Sequence, residues 1–148
     1  MNIQYFVDKI KEISLNHKEV KSFHIGNTWD QSTTKGDMYP CVWIEFPVLI
    51  DYSFKDKQYT FSVDVLGLAK SDNTNSEMQV ISQCEVIADQ LIQAYSKYIN
   101  DCAVIRMTGL TVKNINADSA VGCRIDMQIK TNRDCDYLNN FKEVMVKL

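Results

Sequence analysis

The sequence predicts an α+β domain in which an antiparallel sheet of four to six strands is covered by one long helix, with an additional helix at the N-terminus. Apolar residues recur at helical spacing in two segments, and the segments between and after these alternate apolar and polar residues. The connections are short, which favours antiparallel pairing. A chain of 148 residues suits one domain, which we place at 1–133, followed by a C-terminal extension at 134–148.

Both helices are predicted from the spacing of their apolar residues. Asn2 is the expected N-cap of the first helix, whose apolar stripe consists of Ile3, Phe6, Val7, Ile10 and Ile13. A capping box of Thr74 and Glu77 predicts the start of the second helix, which continues for about six turns. Its apolar face consists of Met78, Ile81, Cys84, Ala88, Leu91, Ile92, Tyr95 and Tyr98. That face is wide enough to cover a small sheet.

The strands are predicted from alternation. A short strand runs from Val20 to Ile25, and two later strands lie near Ala103 to Ile115 and Val121 to Lys130. A hairpin strand follows the charged turn 55–57 and points Tyr59, Phe61, Val63 and Val65 to one side. The last strand points Cys123, Ile125, Met127 and Ile129 inward, and Arg124, Asp126, Gln128 and Lys130 outward.

The stretch YPCVWIEFP contains the only two prolines of the chain. Because proline cannot donate to a strand ladder, Pro40 and Pro47 are predicted to be the two ends of one short strand. Alternation places Cys41, Trp43 and Glu45 on one face, and Val42, Ile44 and Phe46 on the core face.

Charge and composition exclude several classes of protein. The net charge is −3 and no cluster of lysine or arginine is longer than two, so tight DNA binding is not expected. No run approaches 18 apolar residues, and charges interrupt the N-terminus where a signal peptide needs an apolar core. We expect a soluble protein made in a cytoplasm, with its five cysteines reduced.

The sequence contains none of the common motifs for cofactors, metals or nucleophilic catalysis. It has no CxxC, HExxH, Gly-rich phosphate loop or GxSxG, so no cofactor, metal site or enzymatic activity is predicted. Glu45 and Asp64 could lie on adjacent strands as a carboxylate pair. With a lysine, such a pair would suit a small Mg²⁺-dependent nuclease. The simpler alternative is that each acid faces solvent or a basic partner on the outer side of the sheet.

Two segments are candidates for contacts with other subunits. The polar loop from Gly26 to Met38 is long for a compact domain, and we expect Trp29 and Asp30 in it to contact a neighbour. The extension from Asp134 mixes apolar residues with charges, and Tyr137 and Phe141 are its candidate interface residues.

The order of these elements resembles a family of small virion proteins. The run HKEVKSFHIGNTWDQSTTKGDMYPCVWIEFP, the alternating strand that ends VDVLGLAK, the polar cap SDNTNSE and the long helix resemble tail-terminator, tail-completion and neck-ring proteins of tailed bacteriophages, including crAss-like phages of gut bacteria. The matching positions are Tyr39, Pro40, Trp43, Glu45 and Pro47. The extension from Asp134 has no counterpart in the pattern.

The resemblance implies a closed ring of about six or twelve copies at the head-to-tail junction of a virion, assembled in the host cytoplasm. Its implied partners are portal, adaptor or tail proteins, and double-stranded DNA passes through its lumen. It implies no catalysis, and it makes Glu45 part of the scaffold. An acidic protein fits this role, because a ring that passes a genome should not hold phosphates. The alternatives are the small nuclease and a monomeric adaptor that binds a partner by its sheet edge.

Overall fold

A computed structural model describes residues 2–27, 38–71, 73–99, 102–113, 115, 118–133 and 142. The elements, in chain order, are α1 (Ile3–Asn16), β1 (Ser22–Gly26), β2 (Cys41–Tyr52), β3 (Asp56–Gly67), α2 (Thr74–Tyr98), β4 (Ala103–Val112) and β5 (Val121–Asn132). The five strands form one sheet in the order β1-β2-β3-β5-β4. The predicted α+β class is therefore confirmed.

The two helices begin at side-chain caps. Asn2 Oδ1 accepts a hydrogen bond of 3.3 Å from Tyr5 N, as predicted for α1. α2 begins one residue earlier than the predicted capping box, because Asn73 rather than Thr74 is the N-cap. Asn73 Oδ1 accepts a hydrogen bond of 2.8 Å from Ser76 N. Asparagine is at least as good a cap as threonine, which explains the shift.

The sheet is mixed and not purely antiparallel. Three of its four strand pairs are antiparallel, but β1 runs parallel to β2. The connection 27–40 is long enough to return the chain to the end of the sheet where β1 began, which is what a parallel neighbour requires. The prediction treated this segment as a loop within an antiparallel sheet and missed the crossover.

The prediction that Pro47 ends the strand is wrong. β2 continues to Tyr52, and its pairing with β3 shifts register between Glu45 and Leu49. β1 pairs with β2 only from Cys41 to Glu45, so the described part of β2 beyond this point is an edge. An edge or a bulge tolerates a residue that has no N–H to donate, and Pro47 meets both conditions.

The main core lies between one face of the sheet, which we call the helix face, and the two helices. Alternation placed its strand residues correctly, since Val42, Ile44 and the predicted inward residues of β3 and β5 are buried there. α2 contributes Cys84, Ile87, Ala88, Leu91 and Tyr95. Met78 and Tyr98, which were predicted to face the sheet, are about half exposed at the two ends of α2. Phe46 is also half exposed, in the irregular part of β2.

A second, smaller core lies on the opposite face, which we call the open face. It contains Tyr39, Cys41, Trp43, Leu66, Val112, Ile115 and Ala120, and none of these residues belongs to a helix. Trp43 is fully buried, and its indole N–H donates to the carbonyl oxygen of Gly26 at 3.0 Å. This cluster covers part of the open face, and Trp43 in it lies opposite the buried Asp64 in the β2–β3 ladder.

Candidate interface and the charged cluster of the open face

Arg124 links two carboxylates on the open face. It lies opposite Asp64 in the β3–β5 ladder, and Asp64 lies opposite Trp43 in the β2–β3 ladder. Arg124 Nε donates to Asp64 Oδ1 at 2.7 Å, and Nη2 donates to Asp64 Oδ2 at 3.3 Å. Nη2 also donates to Glu45 Oε2 at 2.5 Å. The planar guanidinium suits this bidentate geometry, and the cluster ties β2, β3 and β5 together.

Burial determines the electrostatics of this cluster. The Asp64 side chain is fully buried, whereas Glu45 and Arg124 retain 19% and 24% of their side-chain exposure. Burial raises the pKa of Asp64 to about 6, and the neighbouring Glu45 carboxyl also raises it, while the hydrogen bonds from Arg124 oppose the rise. The same bond to Asp64 raises the pKa of the Arg124 guanidinium. With both acids ionised, the cluster carries one net negative charge.

The structure places Glu45 and Asp64 on adjacent strands and gives both acids a basic partner on the outer side of the sheet, Arg124, as the simpler alternative expected. Alternation placed Arg124 on the outer face, yet only the strand order β3-β5 places it beside Asp64. Oxygens of both acids accept hydrogen bonds from the guanidinium. Among the described residues, no group of three His, Cys, Asp or Glu side chains is arranged to hold a metal ion. The hydrogen bonds from Arg124 join the strands that carry Glu45 and Asp64.

The two histidines have structural partners. His17 is the C-cap of α1, and its Nε2 lies 2.6 Å from Gln90 Oε1 on α2. His24 on β1 packs against the Trp43 ring at a centroid distance of 4.8 Å, and burial lowers the pKa of its imidazole. Neither contact couples a histidine to a thiol. Cys41, Cys84 and Cys123 form no disulfide with one another or with any other described residue, and burial raises the pKa of Cys41 and of Cys84 to about 12.

The turn between β2 and β3 holds an exposed aromatic side chain on a rigid support. Phe54 is 89% exposed, more than any other large apolar side chain among the described residues. The turn itself is fixed: Ser53 N donates to Asp56 O, and Arg133 donates to the carbonyl oxygens of Ser53 and Lys55, all at 2.9 Å. The Ser53 hydroxyl also bonds to the Asp56 carboxylate, which pairs with Lys130 at 3.1 Å. We call residues 52–55 the hairpin tip.

Two more exposed apolar side chains lie on this hairpin, one within the tip and one beside it. Tyr52 is 66% exposed, with the Arg133 guanidinium over its ring at 5.5 Å from the centroid, and Leu49 is 58% exposed. Small monomeric proteins expose single apolar residues routinely, but a group of them on one hairpin is typical of a contact surface. The hairpin is thus a candidate interface that the sequence prediction missed, because that prediction ended β2 at Pro47.

The predicted interface residues Trp29, Asp30, Tyr137 and Phe141 lie outside the described residues. The structure does describe the points from which their segments depart. The loop leaves β1 after Gly26, whose φ of 126° lies in the region that favours glycine. The C-terminal extension follows Arg133, which is bonded to the hairpin tip. The extension therefore starts beside the exposed residues of the hairpin.

No protein-family model matches the chain, and no curated protein matches it. Neither helix of the described part of the chain combines the length and the hydropathy needed to cross a bilayer.

Proposed function

We propose that this protein is the subunit of a ring at the head-to-tail junction of a tailed bacteriophage, a neck or tail-terminator component that joins portal or adaptor to tail and lets DNA pass. The observation that carries the proposal is the hairpin of β2 and β3, which presents Phe54, Tyr52 and Leu49 to solvent on a hydrogen-bonded turn. An apolar projection on a fixed turn favours association, because little backbone entropy remains to be lost on binding. The resemblance to the virion proteins is the reason for placing this association in a ring at the head-to-tail junction.

The charge distribution agrees with a ring that does not retain DNA. Between Lys70 and Lys97 the sequence has no lysine or arginine, and this interval includes nearly all of α2. Glu85 and Asp89 are exposed on that helix. This stretch of helix itself contributes no lysine or arginine that could release counterions from DNA, so its own side chains add no affinity for the phosphates.

The charged cluster supports a structural role over a catalytic one. A metal-dependent nuclease needs carboxylate oxygens free to bind Mg²⁺. Here Arg124 donates to both Glu45 and Asp64, and Asp64 has no exposed surface. These contacts stabilise the sheet, which a subunit of a closed ring must keep rigid for its contacts to repeat around the axis.

The proposal is tested by the mass and shape of the purified assembly. Mass photometry and negative-stain electron microscopy should show closed rings of about six or twelve subunits. Double-stranded DNA should not be retained at moderate salt. A protein that stays monomeric at high concentration would favour the adaptor, and Mg²⁺-dependent DNA cleavage lost in Asp64→Asn would favour the nuclease. Either result contradicts the ring proposal.

A further inference from the structure

A groove between α2 and the sheet lies far from the hairpin tip. It has a volume of 390 Å³, and its walls come from α2, β4 and β5. Ala88 and Ile92 line it from the helix, and Cys123 and Ile125 line it from the sheet. Gly109 on β4 has no side chain to fill the space. The groove is apolar at its base and large enough to admit an aromatic ring.

The rim of this groove is acidic. Glu85 and Asp89 line it from α2, and none of the described residues that line it is a lysine or arginine. Neither carboxylate forms an ion pair with a described residue. The groove thus combines an apolar base with two carboxylates available at its edge, and a matching ligand would combine an apolar group with a cation.

The hairpin tip has this combination. Phe54 projects from the turn, and its neighbour Lys55 is exposed and makes no ion pair with any described residue. Asp56, the nearest acid, is already bonded to Ser53 and Lys130, which lowers its pKa. The tip therefore offers an aromatic side chain beside an ammonium group that forms no ion pair with a described residue, which complements the apolar base and the acidic rim of the groove.

A tip cannot fill the groove of its own chain. The tip end of the sheet is fixed, since Asp56 pairs with Asn132 on β5 and Arg133 bonds to the turn. The groove lies beside Ile125, about 20 Å away along β5 at the rise of a β-strand. Only the tip of another copy can enter it.

We propose that the hairpin tip of one subunit docks in the α2–β4 groove of the next, with Phe54 in the apolar base and Lys55 against Glu85 and Asp89. This contact rests on the proposed ring, in which it joins neighbouring subunits. Tip and groove are different surfaces, so the contact is heterologous. If the rotation between neighbouring subunits adds up to a full turn after a few copies, the repeated contact forms a closed ring. Otherwise it forms an open filament.

Four variants test the contact, and the readout is self-association of the full chain. Sedimentation and light scattering measure it at protein concentrations up to about 1 mM, which is high enough to detect a dissociation constant in the millimolar range. Phe54→Ala and Lys55→Glu alter only the exposed turn. Glu85→Lys alters the rim. Gly109→Val fills the groove, and a Cβ at this position lies 3.9 Å from its nearest neighbours, so the fold has room for it.

Each variant should weaken self-association about tenfold or more, with an unchanged melting temperature of the subunit. Lys55→Glu combined with Glu85→Lys should recover a substantial part of the loss, because the ion pair re-forms with its charges exchanged. Leu15→Ala and Lys18→Glu, both at exposed positions of the α1 end, are the matched controls and should associate as the unaltered protein does.

The outcomes separate this contact from the ring itself. Rings that form equally well with Phe54→Ala and Gly109→Val overturn the contact and leave the ring proposal intact. Open filaments or dimers that these variants abolish support the contact and overturn the ring. A chain that remains monomeric at every concentration overturns both.

Discussion

Arg124 on β5 lies directly opposite Asp64 on β3 and donates two hydrogen bonds to its buried carboxylate. A carboxylate with no exposed surface depends on such a partner, because an unpaired buried charge costs several kcal/mol. The third member, Glu45, extends the link to β2. The pair therefore determines how the middle of the sheet responds to substitution and to pH.

Replacing Arg124 should strongly destabilise the fold. Arg124→Leu leaves Asp64 buried without a cation, and we expect the free energy of unfolding to fall by about 3 kcal/mol in urea titrations at neutral pH. Arg106→Leu, on the exposed edge strand β4, is the matched control and should change it by about 0.5 kcal/mol or less. A similar small effect for Arg124→Leu would mean that the cluster contributes nothing to the sheet.

The unfolding free energy should vary with pH because Asp64 titrates at a higher pH in the folded protein than in the unfolded chain. Its folded pKa of about 6 is above its ordinary value of 3.8, so the folded state binds the proton more tightly than the unfolded state does. The stabilisation from this group is complete below about pH 4 and is lost as the pH rises through about 6. The total is on the order of 3 kcal/mol, since one pKa unit corresponds to about 1.4 kcal/mol.

Asp64→Asn isolates this contribution, because asparagine does not titrate. Between about pH 4 and 6, the unaltered protein should lose unfolding free energy relative to Asp64→Asn as the pH rises. Above about pH 6, the difference between the two proteins should stay constant. Urea titrations at a series of pH values measure it. A difference that does not vary with pH would show that the pKa of Asp64 is not raised.

Gly122 on β5 should tolerate no side chain. A Cβ at this position would lie 1.9 Å from the carbonyl oxygen of Val65 on the neighbouring strand, so the backbone must move. We expect Gly122→Ala to lower the unfolding free energy by about 2 kcal/mol or more. Gly109→Ala on β4 is the control, because its Cβ has room, and it should be neutral or slightly stabilising.

Trp29→Ala tests the loop that the sequence analysis assigns to the interface. If Trp29 contacts a neighbouring subunit, its removal should weaken ring assembly by about 2 kcal/mol per interface and leave subunit melting nearly unchanged. Assembly measured by mass photometry, alongside a thermal melt, distinguishes the two effects. A large loss of subunit stability would place Trp29 in the core instead.

Truncation after Arg133 tests the C-terminal extension. All the buried core residues of the described chain precede this position, so the shortened protein should remain folded, with a melting temperature close to that of the full chain. It should no longer assemble if residues 134–148 contact an adjacent subunit or ring. An unfolded product would show that the extension belongs to the core of its own subunit.

The sequence predicted well those features that depend on local periodicity. The faces of β3 and β5, the stripe of α1 and most of the face of α2 were assigned correctly, because burial on one side imposes a period of 2.0 or 3.6 on the apolar residues. The same reasoning failed at Phe46 and at Pro47, where the strand carries a register shift. Alternation cannot be extrapolated through a bulge, since an extra residue exchanges the two faces.

By itself, the sequence determined that this chain forms an α+β domain with two amphipathic helices and that its net charge is −3. Only the tertiary structure decided that β1 runs parallel to β2, that Arg124 joins Glu45 and Asp64, that Phe54 is exposed on a hydrogen-bonded turn, and that a groove lies beside Gly109. These relationships connect residues far apart in the chain. A periodic pattern records which side of an element is buried, but the order of strands in the sheet, which depends on the packing of the whole domain, decides which residues become neighbours.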